Sequence, residues 1–273
     1  MDRSFTILLL AGTTEARELA GLLAPDARLR VIASLAGVTT RPLPLAVKTR
    51  SGGFGGASGL AAFLREHGID AVIDASHPFA ARISANAVAA CRETATRYLR
   101  LERPAWQPGP GDDWRRVVSL EDAAGRLPAG ASVFLGIGRQ EIGVFAHRRD
   151  VRFVMRMIDP PAPDAARPPG EIVLGRPGAD VEAETRLLRR HAITHMVAKN
   201  SGGDAGRAKL DAARGLGLPV FMVERPPVSD RAAGGVSAGQ TVTSAAEAVR
   251  SIETWLSDGQ DVPSRPCRVP PAP

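Results

Sequence analysis

Cysteine is scarce in this chain, since its 273 residues include only Cys91 and Cys267. The two lie far apart and lack the spacing of metal ligands, which argues against a disulfide framework and a zinc site. Aromatic residues make up only 4% and no Lys/Arg run is interleaved with them, so no nucleic-acid surface is expected. No apolar run approaches the roughly 20 residues that span a bilayer, and no signal peptide precedes the first strand. We therefore expect a cytoplasmic protein, able to act as a monomer, that binds neither nucleic acid nor membrane and uses no metal.

The complete glycine fingerprint of dinucleotide-binding folds, G-x-G-x-x-G, is also missing. The stretch from Phe5 to Leu23 nevertheless has the pattern of a buried strand, a tight turn at Gly12-Thr13-Thr14 and a helix. Either threonine can cap that helix, and its free N–H groups and dipole favour a phosphate. Alone, this pattern is as typical of an ordinary strand–turn–helix as of a nucleotide site.

Basic residues outnumber acidic ones, which gives a net charge of +6 and a pI of about 10.2. Arginine is far commoner than lysine, and the arginines are dispersed along the chain. This distribution favours a small ligand that carries phosphates or several carboxylates.

Apolar strands alternate with amphipathic helices along most of the chain, which predicts an α/β fold with parallel sheets. The sequence of apolar strand, glycine turn and polar helix start recurs between Ser132 and Phe145. We therefore predict two Rossmann-like domains, 1–128 for the cofactor and 129–257, with a ligand cleft between them. Residues 258–273 are rich in proline and predict a disordered tail.

The end of the second strand, Leu29 to Leu35, is where a dinucleotide-binding fold holds the adenosine ribose. An acidic residue at this place would favour NAD by binding the 2′-hydroxyl. None lies between Val31 and Thr40, and Arg41 follows, so the local sequence favours NADP. Further on, Ser51 to Gly56 has four glycines around a phenylalanine, which predicts a loop whose backbone approaches a ligand closely.

Polar residues follow the third strand and a strand of the second half. Ser76 and His77 come directly after Ala71 to Ala75, and Lys199-Asn200-Ser201 follows Thr194 to Ala198. Ligands of open α/β sheets bind beyond the carboxyl ends of the strands, so these residues are candidates for a site.

Several of these segments together resemble one family, the precorrin-6A reductases of the cobalamin pathway. The matching stretches occur in the family's order and cover most of residues 5 to 226: LLLAGTTEARELA, SLAG, SGGFGG, IDASHPFAARISANA, YLRLERPAW, GIGRQEIGVF and VAKNSGGDAGRAKLDAARGLGLPVFMVERP. Two positions depart from the family pattern. Val38 stands where arginine is frequent, and Arg176-Pro177-Gly178 replaces a Gly-Pro-Phe segment.

The resemblance implies NADPH-dependent reduction of one carbon–carbon double bond of precorrin-6A, with cofactor and tetrapyrrole between two Rossmann-like domains. It assigns the cofactor to Gly12, Thr13, Thr14, Ser34, Gly37, Gly53, Phe54, Gly55, Gly138, Arg139 and Gln140. It assigns the substrate to Ser76, His77, Lys199, Asn200 and Ser201. Arg17 is the predicted catalytic residue, because a cation beside the conjugated system would make the reduced carbon electrophilic; the plainer alternative is a helix-surface arginine.

Three other interpretations of the sequence compete with this one. A short-chain dehydrogenase would place a catalytic tyrosine four residues before a lysine, but the only tyrosine is Tyr98 and position 102 is Glu102. A non-catalytic nucleotide sensor would bind cofactor without a tetrapyrrole, which the loop-bearing second half disfavours. A reductase of the cobalt-containing macrocycle, cobalt-precorrin-6A, stays open at this stage.

Overall fold

The computed structural model describes residues 4–37, 39–40, 42–226 and 240–260, which form two six-stranded parallel sheets. The first sheet consists of β1 (Phe5–Leu10), β2 (Leu29–Leu35), β3 (Lys48–Ser51), β4 (Ala71–Asp74), β5 (Arg97–Leu101) and β12 (Gln240–Val242). The second consists of β6 (Trp114–Val117), β7 (Ser132–Gly136), β8 (Arg152–Met157), β9 (Gly170–Leu174), β10 (His195–Lys199) and β11 (Val220–Val223). The predicted α/β class with parallel sheets is confirmed.

Both sheets have the same strand order. The first runs β3-β2-β1-β4-β5-β12, and the second runs β9-β8-β7-β10-β11-β6. The direction of chain progression therefore reverses between β1 and β4 in one sheet and between β7 and β10 in the other. Open α/β sheets bind their ligands in the crevice that such a reversal leaves at the carboxyl ends of the strands.

Each sheet takes its sixth strand from the other part of the chain. β6 follows β5 in sequence but pairs with β11, and β12 follows β11 but pairs with β5. Helix α7 (Ala245–Gln260) continues from β12 and packs against α1 (Thr14–Leu23) of the first sheet. Sheet membership thus differs from a division at residue 128, because β6 already belongs to the second sheet and β12 returns to the first.

The helices begin where the sequence supplies caps. Thr13, Ser119 and Asp180 each accept a hydrogen bond from a first-turn N–H through the side chain. The remaining helices are α2 (Gly56–Glu66), α3 (Ala81–Thr94), α4 (Leu120–Arg126), α5 (Val181–Arg190) and α6 (Ala208–Gly215), with 3-10 turns at Ile142–Phe145 and Asp204–Gly206.

Both faces of each sheet are covered. On the first sheet, α1 and α7 cover one face and α2 and α3 the other. On the second sheet, α4 covers one face and α5 and α6 the other. Strands covered on both faces bury side chains in both directions, which explains continuous buried runs such as that in β1.

Residues 258–260, where the sequence predicts a disordered tail, are the last residues of α7. The helix continues to them because Ile252 and Trp255 anchor it on the first sheet. Residues 261–273, Val38 and Arg41 lie outside the described residues. In the part of the chain that is described, no helix has the length and apolarity needed to cross a membrane.

Candidate active site

The turn after β1 leaves backbone N–H groups open at the start of α1. Gly12 has a φ of +149°, and a Cβ at this position would meet no atom within 4 Å. Thr13 Oγ1 accepts a hydrogen bond from Ala16 N at 3.1 Å and donates one to the Ala75 carbonyl at 2.9 Å. The turn is thus fixed to the end of β4, and its open backbone and positive helix end suit a phosphate. Gly12, Thr13 and Thr14 remain the predicted phosphate seat.

An arginine that the sequence analysis missed organises the expected adenosine end. Arg50 donates to Ser34 Oγ at 2.7 Å, to the Gly52 carbonyl at 3.0 Å and to the Gly53 carbonyl at 3.1 Å. Its guanidinium carbon lies 4.1 Å from the centre of the Phe54 ring. Arg50 reaches Ser34 because the two are paired in the β2–β3 register, which neighbouring residues in the sequence do not reveal.

The glycine loop between β3 and α2 borders open space. Gly52, Gly55 and Gly56 all have positive φ, and a Cβ at any of them or at Gly53 would meet no atom within 4 Å. A Cβ at Gly37 would lie 3.7 Å from Gly52 N, so the two loops run side by side. The structure therefore brings together the predicted cofactor residues Ser34, Gly37, Gly53, Phe54 and Gly55.

The carboxyl ends of β4 and β10 meet across the cleft between the sheets. His77 Nε2 lies 3.1 Å from Ser201 Oγ, which joins a loop of each half directly. Phe79, two residues further on, packs against the core of the second sheet. Lys199 Nζ lies 5.1 Å from the centre of the Phe79 ring. The predicted substrate residues of the two halves are thus neighbours.

A buried arginine holds the turn that carries His77. Arg100 Nη1 donates to Ser76 Oγ at 3.1 Å, and the guanidinium forms ion pairs with Asp74 at 2.8 Å and with Glu102 at 2.9 Å. Ser76 N also donates to Asp74 Oδ1 at 3.0 Å. The Ser76 hydroxyl is therefore turned into the protein, where it positions the turn.

Two further arginines hold the loop after β10. Arg103 Nε and Arg225 Nη2 donate to the Ser201 carbonyl at 2.8 Å and 3.0 Å. Arg103 also forms an ion pair with Glu15 at 2.6 Å, and Arg225 forms one with Glu102 at 2.7 Å. Because Glu15 and Glu102 belong to the first half, these arginines fix Ser201 relative to α1 and to the end of β5.

The other two predicted substrate residues after β10 already have partners. Asn200 Oδ1 accepts from Trp106 N at 2.8 Å and its Nδ2 donates to the Trp106 carbonyl at 3.1 Å, so its amide holds the segment between β5 and β6 on the second sheet. Lys199 pairs with Glu141, whose side chain is 42% exposed whereas that of Lys199 is 10% exposed. The Lys199 ammonium therefore lies behind a carboxylate that solvent or a ligand can reach.

Four cations lie around His77 at the centre of the cleft, and each of them is paired with a carboxylate. Burial, together with the charges of Arg103, Lys199, Arg225 and Arg100, lowers the pKa of His77 to about 3. His77 is therefore neutral near pH 7 and takes part in hydrogen bonds without a charge of its own. An anionic ligand could therefore bind these cations only by exchange for a carboxylate that pairs with them, and the Glu141 side chain is the more exposed partner.

The glycine turn of the second half lies at the opposite rim of the cleft. Gly138 has a φ of +85°, and Arg139 Nη1 donates to the Pro160 carbonyl at 3.0 Å. Asp159, adjacent to Pro160, forms hydrogen bonds with Thr40 of the first half. This turn, with Gln140, thus borders the loops at the adenosine end, and its predicted cofactor contacts remain predictions.

Arg17 lies on α1, one turn from the phosphate seat. The side chain is half-buried, and its Nε is buried without a hydrogen-bond partner among the described residues. The neighbouring Glu15 pairs with Arg103 instead. The Arg17 Nε thus lacks, among the described residues, the hydrogen bond that a buried donor ordinarily makes, and the catalytic role of Arg17 remains a prediction.

Lys209 is a second residue that the sequence analysis did not single out. Its Nζ donates to the Gly206 carbonyl at 2.8 Å and lies 5.1 Å from the centre of the Trp106 ring. Burial, with the charge of Arg156 as the next cause, lowers its pKa to about 8. A lysine in a helical segment is usually exposed, so no sequence pattern indicates that this cation is buried.

Comparison with known proteins gives a consistent result. The family model described as precorrin-6x reductase CbiJ/CobK matches residues 6–253. A precorrin-6A reductase from Rhodococcus erythropolis is 47% identical over 224 residues, covering 81% of this chain and 90% of that protein. A cobalt-precorrin-6A reductase from Priestia megaterium is 33% identical and covers 81% and 91%. The solved structure of a CobK precorrin-6A reductase superimposes with a TM-score of 0.81 at 41% identity, covering 93% of this chain and 96% of that one.

Proposed function

The chain belongs to the precorrin-6x reductase family CbiJ/CobK, and we propose that it reduces one double bond of precorrin-6A with NADPH, giving precorrin-6B. It is an oxidoreductase of cobalamin biosynthesis. The observation that carries the proposal is the contact between His77 and Ser201, because it brings the carboxyl ends of β4 and β10 together amid four cations.

The open glycine backbone of the first half fits a dinucleotide. The turn at Gly12 and the N-terminus of α1 would hold the pyrophosphate, and the glycine loop with Ser34 would hold the adenosine. Arg50 fixes both parts of the adenosine end at once. When bound, NADPH supplies the hydride, and the protein supplies position and electrostatics.

The cations around His77 would bind the carboxylates of a tetrapyrrole in exchange for the protein carboxylates that pair with them. Arginine binds carboxylates through two parallel N–H donors, and Lys199 adds a point charge. Because Lys199 already pairs with Glu141, a substrate carboxylate would bind it by replacing an exposed carboxylate. The cluster joins loops of both halves, so a bound macrocycle would contact both.

The chain's own residues act on charge that develops during the reduction. Addition of a hydride raises the electron density of the conjugated ring, and fixed cations such as Arg17 stabilise that density more strongly than they stabilise the substrate. The neutral His77 ring forms a hydrogen bond at the cleft but carries no proton to deliver as an imidazolium at neutral pH.

The metal-free macrocycle is the better-supported substrate. The relative from Rhodococcus erythropolis, named for precorrin-6A, is 47% identical, whereas the one from Priestia megaterium, named for the cobalt form, is 33% identical. The phosphate-binding and carboxylate-binding features of the cleft serve either form equally, so this choice depends on similarity.

The test is anaerobic incubation of the purified protein with precorrin-6A and either NADPH or NADH. Nicotinamide absorbance and product mass are followed together, and cobalt-precorrin-6A is assayed in parallel. We expect oxidation of NADPH, in preference to NADH, with a gain of two hydrogens on the metal-free macrocycle. Cofactor binding without turnover of either macrocycle would contradict the proposal and favour a nucleotide sensor.

A further inference from the structure

Hydrogen bonds between Thr40 and Asp159 join two loops, one from each half of the chain. Thr40 N donates to Asp159 Oδ2 at 3.0 Å, and Thr40 Oγ1 donates to Asp159 Oδ1 at 2.6 Å. Thr40 follows β2 and Asp159 follows β8. Both oxygens of one carboxylate are thus bound by the backbone and the side chain of one threonine.

The contact between Thr40 and Asp159 lies away from the hydrogen bonds that His77, Arg103 and Arg225 form between the halves. Those bonds involve residues that follow β4, β5, β10 and β11, whereas Thr40 and Asp159 follow strands on the other side of each reversal point. The loops of β2 and β8 therefore meet at the opposite rim of the cleft.

The place of Thr40 in the first sheet identifies the anion that suits its donors. In a dinucleotide-binding sheet, the loop after the second strand faces the ribose 2′ position of adenosine. An N–H and a hydroxyl aimed at one anion are donors that a phosphate also accepts, and hydrogen bonds to an ionised acceptor are the strong ones. Arg50, bound to Ser34 at the end of the same strand, adds positive charge nearby.

The surroundings of Asp159 favour a negative group at the same place. Hydrogen bonds from Thr40 lower the pKa of Asp159, and the charges of Arg139 and Arg176 lower it further. The carboxylate is therefore ionised at neutral pH, and two arginines of the second half lie close enough to act on whichever anion binds there.

We infer that Thr40 forms a subsite for the 2′-phosphate of the cofactor and that Asp159 competes for it, so that the phosphate binds by displacing this carboxylate. This inference rests on the proposed use of NADPH. Displacement breaks the hydrogen bonds between the loops after β2 and β8. Cofactor binding is thereby linked to release of the contact between the halves at this rim.

The test measures binding of 2′,5′-ADP and of 5′-AMP to the full chain by calorimetry at fixed ionic strength. The two probes differ only in the 2′-phosphate. Asp159→Asn removes the competing charge and keeps the side-chain size, and Asp164→Asn removes an exposed charge from the same loop as a matched control. We expect Asp159→Asn to bind 2′,5′-ADP about fivefold more tightly, equivalent to about 1 kcal/mol, with 5′-AMP binding unchanged. Asp164→Asn should leave both affinities unchanged.

A second substitution tests the donor. In the Asp159→Asn background, Thr40→Val removes the hydroxyl and should weaken 2′,5′-ADP binding about fivefold without an effect on 5′-AMP. Unchanged 2′,5′-ADP binding in Asp159→Asn, or an equal gain for 5′-AMP, would overturn the inference while leaving the use of NADPH intact. If the unsubstituted chain binds NADH as well as NADPH and none of the variants prefers 2′,5′-ADP, both the inference and the cofactor choice fail.

Discussion

Arg17 differs from the other arginines of the cleft in what it contacts. Arg100, Arg103 and Arg225 each form ion pairs and hydrogen bonds that hold loops together. Arg17 has a buried Nε that no described residue accepts from. Because no ion pair or hydrogen bond among the described residues is seen to fix the Arg17 side chain as those contacts fix the other three, Arg17 is the arginine that we expect to act on a ligand.

Arg17→Ala should therefore lower kcat by about 100-fold while NADPH binding changes little, because the lost interaction stabilises developing charge. Steady-state kinetics with precorrin-6A, together with calorimetry of NADPH binding, would measure the two effects. Arg30→Ala is the control. Arg30 is exposed near the start of β2, away from the Ser34 end of that strand, so this variant should keep its activity. Normal turnover by Arg17→Ala would remove the residue from the mechanism.

His77 should make stability depend on pH. Its pKa falls from 6.5 in the unfolded chain to about 3 in the folded one, so between these values the unfolded chain binds the extra proton. The free energy of unfolding should thus decrease on acidification from pH 6.5 towards pH 4, by up to about 1.4 kcal/mol per pH unit.

Denaturant unfolding at several pH values would measure this slope. His77→Asn should reduce it, because the variant lacks the titrating group, whereas substitution of the exposed His147 by asparagine should not. An equal slope in His77→Asn and the unsubstituted chain would show that other groups dominate the acid sensitivity.

At the scale of secondary-structure elements, two nearby glycines have opposite surroundings: Gly53, in the glycine loop between β3 and α2, and Gly59, in α2. A Cβ at Gly53 would meet no atom within 4 Å, whereas a Cβ at Gly59 in α2 would lie 1.8 Å from the Phe54 carbonyl oxygen. Gly53 faces open space, and Gly59 permits the helix to pack on the loop.

These surroundings predict different outcomes for the same substitution. Gly53→Ala should change the free energy of unfolding by no more than about 0.5 kcal/mol. It should raise the KM for NADPH, because the added methyl group occupies space that the ligand needs. Gly59→Ala should lose about 2 kcal/mol or more, because backbone must move. Thermal unfolding and steady-state kinetics on both variants would separate the effects. A stable Gly59→Ala protein with normal KM would contradict the packing argument.

Sequence patterns predicted those parts of the site that depend on consecutive residues. The β1–α1 turn and the loops after β4 and β10 are each a strand followed at once by polar or glycine residues, and they lie where such patterns place them. Arg50 was missed because its partner Ser34 is a neighbour only through strand pairing. The three-residue strand β12 was missed for a similar reason, since it is a strand only by virtue of pairing with β5.

At the scale of the whole molecule, the exchange of sixth strands ties the two sheets together. β12 and α7 complete the first sheet from the end of the chain, and Val242, Ala248 and Ile252 are buried in its core. The first half therefore lacks part of its own core without the residues that follow position 239.

Deletion of residues 227–273 should consequently lower the free energy of unfolding by about 5 kcal/mol or more, since several fully buried side chains lose their contacts. Deletion of 261–273 alone leaves every described residue in place and is the control. Circular dichroism during denaturant unfolding would measure both. If the longer deletion unfolded like the control, β12 and α7 would contribute little to the first sheet.

The crossing of the chain between the sheets also bears on the order of events during synthesis. A ribosome releases β1 to β5 early, but the strand that covers their edge and the helix that covers one face emerge almost last. The nascent first sheet thus has an open edge at β5 and one face that α1 covers only in part while more than a hundred further residues are made. The first sheet is therefore completed only after the strands of the second sheet have been made, so the two halves do not mature one after the other.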